Sequence, residues 1–317
     1  MKIMPLTPGF KLPGDTAVAL GFFDGVHLGH QEIIRVTREA AEQENLTPSV
    51  FSFINHPLEV LSGETVPLLS SFLEKKDLIA KNGIEQLVYR RFMPEFSALS
   101  PEDFVRDILL AQLRAKVFVV GENYTFGHQA RGNPQYLQEL APRLGFKVRV
   151  APTVKLQDKI VSSTLIRELV KKGDLAGAAQ MLGRGYSMRG VVEHGPGIGS
   201  TLGFPTANLL PHQGKLLPPN GIYLVKVQLG DETLAGVANL GFAPTFQEKE
   251  FALEIHLLNF SRAIYGEELE VTFLRYLREE IKFADRSALI EQIRDDVRQA
   301  EIFFAGNPQA LRREVWV

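Results

Sequence analysis

The chain has 317 residues, with 45% apolar and 23% charged side chains, and a formal net charge of −2. That length exceeds one ordinary core, so two domains are expected, and so small a net charge gives no global basic field to recruit nucleic acid or an anionic membrane. Cysteine is absent, which excludes disulfides, thiolate metal sites and cysteine nucleophiles. No run is apolar enough for a signal peptide or a bilayer span, so a soluble cytoplasmic protein is the expectation, with self-association left open.

The first half alternates strand-like and helix-like segments. Thr16–Phe23 is apolar and β-compatible, and Gly29–Gln43 has amphipathic helical spacing. Ser49–Phe53 reads as a strand, Phe72–Lys81 as a helix before Gly83, and Gln86–Arg90 as a strand. A helix over Pro101–Leu113 precedes a strand over Lys116–Val120. Pro134–Leu144 and Phe146–Val150 repeat the pair. Such alternation predicts an α/β domain with a mostly parallel sheet, whose ligands bind beyond the carboxyl ends of the strands. Two helices, Ser162–Lys172 and Asp174–Leu182, lead to a boundary at Gly183-Arg184-Gly185. Beyond it come the short β-like runs Tyr186–Glu193, Ile222–Gln228, Thr233–Asn239, Phe251–Leu258 and Glu268–Leu274, divided by Gly- and Pro-rich turns. They suggest an antiparallel barrel or sandwich, closed by a helix over Arg286–Phe304.

The densest local signal is Gly21-Phe22-Phe23-Asp24-Gly25-Val26-His27-Leu28-Gly29-His30, after the first strand and opening the first long helix. A helix start offers free N–H groups to phosphate, and glycines let backbone approach a ligand. His27 and His30, three apart, can face one ligand and donate hydrogen bonds to phosphoryl oxygens. Alone, such a pair also suits a surface or a metal; the preceding strand and flanking glycines favour phosphate. No Walker A loop occurs in the chain. Ser162, Ser163 and Thr164 are good N-cap residues, so they mark a second helix start suited to phosphate. Alone, such a run is more often a plain cap followed by a surface arginine, here Arg167.

In the second half, Gly195, Gly197 and Gly199 precede Gly203-Phe204-Pro205-Thr206-Ala207-Asn208. A dinucleotide fingerprint would need a helix here, which Pro205 and Leu209-Leu210-Pro211 do not offer. A glycine flap whose N–H groups cradle ATP phosphates fits better, with Thr206 and Asn208 offering neutral oxygens to Mg²⁺. Along Phe251–Leu258, alternation puts Phe251, Leu253, Ile255 and Leu257 on one face, and Glu254 and His256 on the other.

These strings, together with Phe53-Ile54-Asn55-His56-Pro57, Gly121-Glu122-Asn123-Tyr124-Thr125-Phe126-Gly127 and Ser162-Ser163-Thr164-Leu165-Ile166-Arg167, resemble the bacterial bifunctional riboflavin kinase/FAD synthetases. The resemblance runs from about Ala17 to Phe304. It implies a Rossmann-like nucleotidylyltransferase domain over residues 1–183 and an antiparallel β-barrel riboflavin kinase domain over residues 184–317. The implied reactions are phosphorylation of riboflavin to FMN and adenylylation of FMN to FAD, with ATP as co-substrate and Mg²⁺ as cofactor. By the same resemblance Glu254 is the kinase base, Arg278 supports the flavin, and Asn123 helps place the triphosphate. Gly21, Phe23, Asp24, Gly25, Ser163 and Thr164 belong to the ATP and flavin site that His27, His30 and Arg167 serve. The chain departs from the family pattern at Ile198, often basic, at Asn55, often proline, and at Glu122, often aspartate. Three other readings stand beside it: an enzyme with a single activity and one degenerate domain, a noncatalytic flavin or nucleotide sensor, and a nucleotidylyltransferase for another phosphate acceptor.

Overall fold

The computed structural model describes residues 1–195, 197–242 and 251–312. By internal contacts these form two units, Met1–Ser163 and Thr164–Val317.

Unit one is built on six parallel strands: β1 (Lys2–Pro5), β2 (Thr16–Leu20), β3 (Thr47–Phe53), β4 (Gln86–Arg90), β5 (Ala115–Gly121) and β6 (Lys147–Ala151), in the order β1-β4-β3-β2-β5-β6. The central strands β2, β3 and β5 are buried on both sides because helices cover both faces. On one face, α1 (Leu28–Glu44) and a later helix, Phe72–Lys81, enclose Ala19, Val50, Ile34, Ile79 and Leu87. The other face carries a larger cluster, including Leu20, Phe51, Phe104, Phe118 and Leu137. Short helical turns α2 (Pro57–Leu61), α4 (Pro94–Ser97) and α5 (Pro101–Asp103) flank the longer helices α3 (Phe72–Lys81) and α6 (Pro134–Leu144). The expected single helix over Pro101–Leu113 turns π-helical over Phe104–Gln112, ending with Leu113 N–H donating to Ile108 C=O at 2.9 Å.

Strand order reverses about β2, which has β3 on one side and β5 on the other. This is the topological switch point, where open parallel sheets place their ligands. The loop after β2 is the His27/His30 motif, and the loop after β5 carries Asn123. A small hairpin, β7 (Lys155–Leu156) with β8 (Lys159–Ile160), follows the sheet.

Unit two takes in all but the first residue of α7 (Ser163–Lys171) and all of α8 (Leu175–Leu182). Its centre is a closed antiparallel barrel of β9 (Ser187–Glu193), β10 (Ala207–Leu209), β11 (Gly221–Leu229), β12 (Glu232–Phe242), β13 (Phe251–Leu257) and β14 (Glu268–Arg278), in the order β10-β13-β12-β11-β14-β9. Pairing of β9 with β10 shuts the ring, which settles the choice between barrel and sandwich and leaves no exposed sheet edge. Helix α10 (Arg286–Gly306) packs Ala300 and Phe304 on Ile222, Leu224 and Val237. Between β9 and β10 lies a five-residue helix, α9 (Ile198–Leu202), bounded by left-handed Gly197 and Gly203. The expected glycine flap thus contains one helical turn; its Pro196 lies outside the described residues.

Candidate active sites

The first site grows from the carboxyl end of β2. Phe23 (φ 58), Gly25 (φ 76) and Val26 (φ 40) all take left-handed backbone. Glycine adopts that region freely, but a β-branched residue such as Val26 is strained there. Burial of Phe23 and Val26 offsets the strain, as do two hydrogen bonds with Ser70. Ser70 N–H donates to Asp24 Oδ1 (3.1 Å), and Gly25 N–H donates to Ser70 Oγ (2.9 Å). Backbone held in such a conformation is a mark of functional loops. Phe23 and Asp24, at 0% and 2% exposure, therefore shape the loop from within.

The loop delivers His27 to the N-cap of α1, where its Nδ1 accepts from His30 N–H at 3.3 Å. An accepting Nδ1 places the proton of a neutral ring on Nε2, making that nitrogen a donor. The two imidazoles stack at 3.7 Å between centroids. Among the described residues, His30 Nδ1 is buried with no hydrogen-bond partner. Burial, then the nearby His27 and Lys75 charges, holds His30 well below its ordinary 6.5. Near neutral pH it is an uncharged hydrogen-bond donor, not a cation.

Ser163 Oγ donates to Asp24 C=O at 2.9 Å. The late motif therefore starts against the first one, although 139 residues separate them. Thr164 and Arg167 continue α7 within unit two; Arg167 follows Ser163 by four residues, about one helical turn. Beside the loop, a cavity of about 490 Å³ is lined by Gly21, Phe22, Phe53, Phe96, Asn123 and Phe126. It brings Gly21 and Asn123 together, as the resemblance implies, among aromatic rings that sequence patterns did not place there.

Sequence reasoning also missed Lys75, on α3. It is 2% exposed, and its Nζ donates to Phe22 C=O (3.0 Å) and Phe53 C=O (2.7 Å) while lying 4.1 Å from the Phe22 ring centroid. It thereby ties the loops leaving β2 and β3. Burial lowers it from 10.5 to about 7, with Asp24 pulling the other way. Unfolded chains then hold a proton that folded chains release between those values, so stability attributable to Lys75 rises with pH across that window. In chemical denaturation from pH 7 to 9, wild type should gain up to about 1.4 kcal/mol per pH unit relative to Lys75→Met. Parallel stability profiles would show that the carbonyls keep Lys75 charged throughout.

The second site lies on the barrel. Cross-strand register places Asn208 of β10 opposite Glu254 of β13, Glu254 opposite Asn239 of β12, and Asn239 opposite Ile222 of β11. Directly paired residues share a face, so these four form one row around the ring. Leu253, Ile255 and Leu257 point instead into the core, as alternation predicts. A cavity of about 340 Å³ is lined by Thr206, Asn239, Glu254, Arg278, Glu280 and, from the flap, Gly199. A second, of about 220 Å³, is lined by Pro205, Thr206, Phe260 and Tyr265; Thr206 borders both. Gly195 is needed for close approach, since a Cβ there would lie 2.2 Å from Asn208 Nδ2.

Burial raises Glu254 above its ordinary 4.5, and Glu280 adds to the effect. His256 Nδ1 lies 2.9 Å from Pro205 C=O, tying β13 to the segment bearing Thr206. Arg278 borders the larger cavity, but its guanidinium forks onto Asp296 of α10, at 2.9 and 2.6 Å, and donates to Glu279 C=O. Asp296 is 3% exposed. The pair anchors α10 to β14, so Arg278 supports the cavity wall.

Among the described residues, no helix is long and apolar enough to cross a membrane. The FAD synthetase family model matches residues 10–165, and the riboflavin kinase family model matches residues 182–304. A bifunctional riboflavin kinase/FMN adenylyltransferase of Listeria monocytogenes is 38% identical over 304 residues, covering 95% of this chain and 96% of its own. Its counterparts in Bacillus subtilis and Escherichia coli are 35% and 34% identical, covering 92% and 90% of this chain, and 93% and 92% of theirs. A crystal structure described as a macrolide-efflux protein of Streptococcus pneumoniae superposes with a TM-score of 0.85 at 30% identity, covering 95% of this chain and 99% of that one. With a parallel-sheet unit bearing the histidine motif, a closed barrel bearing Glu254, and relatives alike from end to end, the chain belongs to the bifunctional riboflavin kinase/FMN adenylyltransferase family.

Proposed function

We propose that the barrel transfers the γ-phosphoryl group of ATP to the ribityl 5′-hydroxyl of riboflavin, and that the parallel-sheet unit joins the resulting FMN to AMP from a second ATP. The observation that carries the kinase assignment is Glu254, half-buried in a cavity wall and paired in register with Asn208, next to Thr206 where two cavities meet. Riboflavin enters the larger cavity and the nucleotide the smaller one, so the phosphates lie beside Thr206. Glu254 takes the proton of the 5′-hydroxyl as its oxygen bonds to the γ-phosphorus, and the bond to the β-phosphate oxygen breaks to release ADP.

The neutral oxygens of Thr206 and Asn208 suit Mg²⁺ held largely by nucleotide phosphates. Among the described residues, no group of three or more His, Asp or Glu side chains is arranged to hold a metal by itself. Mg²⁺, when bound, supplies neutralisation of phosphate charge.

In adenylyl transfer a phosphate oxygen of FMN attacks the α-phosphorus of ATP and pyrophosphate leaves. The nucleophile is already anionic, so positioning and charge stabilisation dominate. His27 Nε2–H and His30 donate to the triphosphate, Ser163 and Thr164 present the start of α7, and Arg167 neutralises the departing pyrophosphate. Asn123 helps place the triphosphate, and the aromatic cavity that also holds Gly21 takes FMN. By this chemistry the boundary between the activities falls after Gly183. Both reactions consume ATP, which supports a cytoplasmic setting.

Incubation with riboflavin, ATP and Mg²⁺, followed by chromatography of the flavins, tests the reading. FMN should appear first and FAD follow; FMN without FAD would leave the histidine site without its assigned reaction. The carboxylate pair gives a further expectation. Glu280 helps hold Glu254 above its ordinary range, so Glu280→Gln should let Glu254 lose its proton at lower pH. The acid limb of kcat/KM for riboflavin phosphorylation should then move to lower pH. An unmoved limb would assign it to another group.

A further inference from the structure

The row Asn208, Glu254, Asn239, Ile222 contains one side chain with no role so far. Among the described residues, Asn239 Oδ1 is buried without a hydrogen-bond partner, although Asn239 lines the cavity that also contains Glu254. Native proteins rarely leave such an oxygen unsatisfied, because its lost hydration has to be replaced by a donor. Its neighbours in the row supply none. On β13 Glu254, in the carboxylate form that acts as the base, only accepts, and on β11 Ile222 is apolar. Arg278, paired with Ile222 one strand further on, turns three of its N–H groups to Asp296 and the Glu279 carbonyl and makes no hydrogen bond to Asn239 Oδ1. The missing donor therefore comes with what fills the cavity.

The position of the oxygen limits what that donor is. Directly opposed residues of adjacent antiparallel strands have Cβ atoms about 5 Å apart, so Asn239 stands one short step from the carboxylate that receives the 5′-hydroxyl proton. A chain bearing hydroxyls on consecutive carbons presents donors at that spacing. An apolar chain ending in one hydroxyl satisfies Glu254 but leaves Asn239 unpaired. We propose that Asn239 is a substrate-binding residue of the kinase site, its Oδ1 accepting a hydrogen bond from a secondary hydroxyl of the ribityl chain and selecting polyhydroxylated over plain alkyl side chains. This rests on the kinase reading of the barrel given above. The bond aligns the 5′-hydroxyl toward Glu254, and a substrate lacking it loses both the bond and the alignment.

The test compares riboflavin with a flavin carrying a 5-hydroxypentyl chain at the same ring nitrogen, in the full-length wild type and in Asn239→Leu. Wild type should prefer riboflavin strongly in kcat/KM. Asn239→Leu should lose at least about 10-fold on riboflavin while the hydroxypentyl flavin changes by less than about twofold, so that the preference collapses. Adenylylation of added FMN, which takes place in the other unit, should be unchanged and reports on the integrity of the preparation. Asn239→Ser, which withdraws the oxygen from the cavity while keeping a small side chain, should show the same divergence if the leucine variant does not fold. Equal losses on both substrates, or no loss on riboflavin, would overturn the proposal. Wild type that phosphorylates neither flavin would overturn the kinase reading itself.

Discussion

Glu254→Gln is expected to lower riboflavin phosphorylation by about 10²–10⁴-fold, the usual scale for loss of a general base, while added FMN is still converted to FAD. Glutamine fills the same volume between Asn208 and Asn239, and its amide oxygen still accepts a hydrogen bond, but it takes no proton from the 5′-hydroxyl. Stability should not confuse the result. Burial and Glu280 disfavour the charged form of Glu254, so a neutral isostere relieves repulsion in the cavity wall. The assay follows FMN formation from riboflavin with saturating ATP and Mg²⁺. Near-normal turnover by a folded variant would remove Glu254 from the base role. Loss of FAD synthesis from added FMN would contradict the separation of the two sites.

Replacing either histidine of the first motif should have the opposite selectivity. His27→Ala and His30→Ala are each expected to cut FAD formation by about 10²–10³-fold, as for removal of a donor aimed at transition-state charge, and to leave FMN formation intact. The two positions fail for different reasons. His27 also caps α1 through Nδ1, so its alanine variant forfeits about 1 kcal/mol of helix stability besides the Nε2–H donor. His27→Asn restores an N-cap acceptor, and should recover thermal stability without recovering full adenylylation. His30 lies one turn into α1 and makes no cap, so His30→Ala should report on chemistry more directly. Its unpartnered Nδ1 and its low affinity for a proton predict a flat adenylylation rate above neutral pH as far as this residue is concerned. A fall in both activities in a folded histidine variant would argue for one shared site.

How much of this was legible beforehand depends on the range of the interaction concerned. Helices Phe72–Lys81 and Pro134–Leu144 and strand Gln86–Arg90 stand where residue patterns put them. Their limits are set by local chemistry: a capping box at Ser71 and Glu74, an Asn133 cap before Pro134, and left-handed Gly145 at the end. Strand β1 escaped because Pro5 and the prolines that follow it mask an edge strand that exists only through parallel pairing with β4. The three-residue strand β10 likewise acquires meaning only between β9 and β13. The histidine motif, Thr206, Asn208 and Glu254 were visible because unusual residue types cluster in short strings that resemble a known family.

What only the tertiary structure decided concerns ordinary residues made special by distant neighbours. Lys75 and Lys76 are adjacent and chemically alike, yet Lys75 alone is buried beneath the loops leaving β2 and β3. Arg278 reads as a free cation near the flavin until folding brings it onto Asp296, 18 residues away. Asn239 is one asparagine in a strand until the register of β12 with β13 sets it beside Glu254. By itself the sequence determined the two domain types, because helix caps and strand alternation are written within a few residues of one another, and through short strings resembling a known family it pointed to the two reactions. Barrel closure, buried charges and the row across β10, β13 and β12 depend on strand pairing and burial, whose energies belong to residues far apart in the chain and exist only once it has folded.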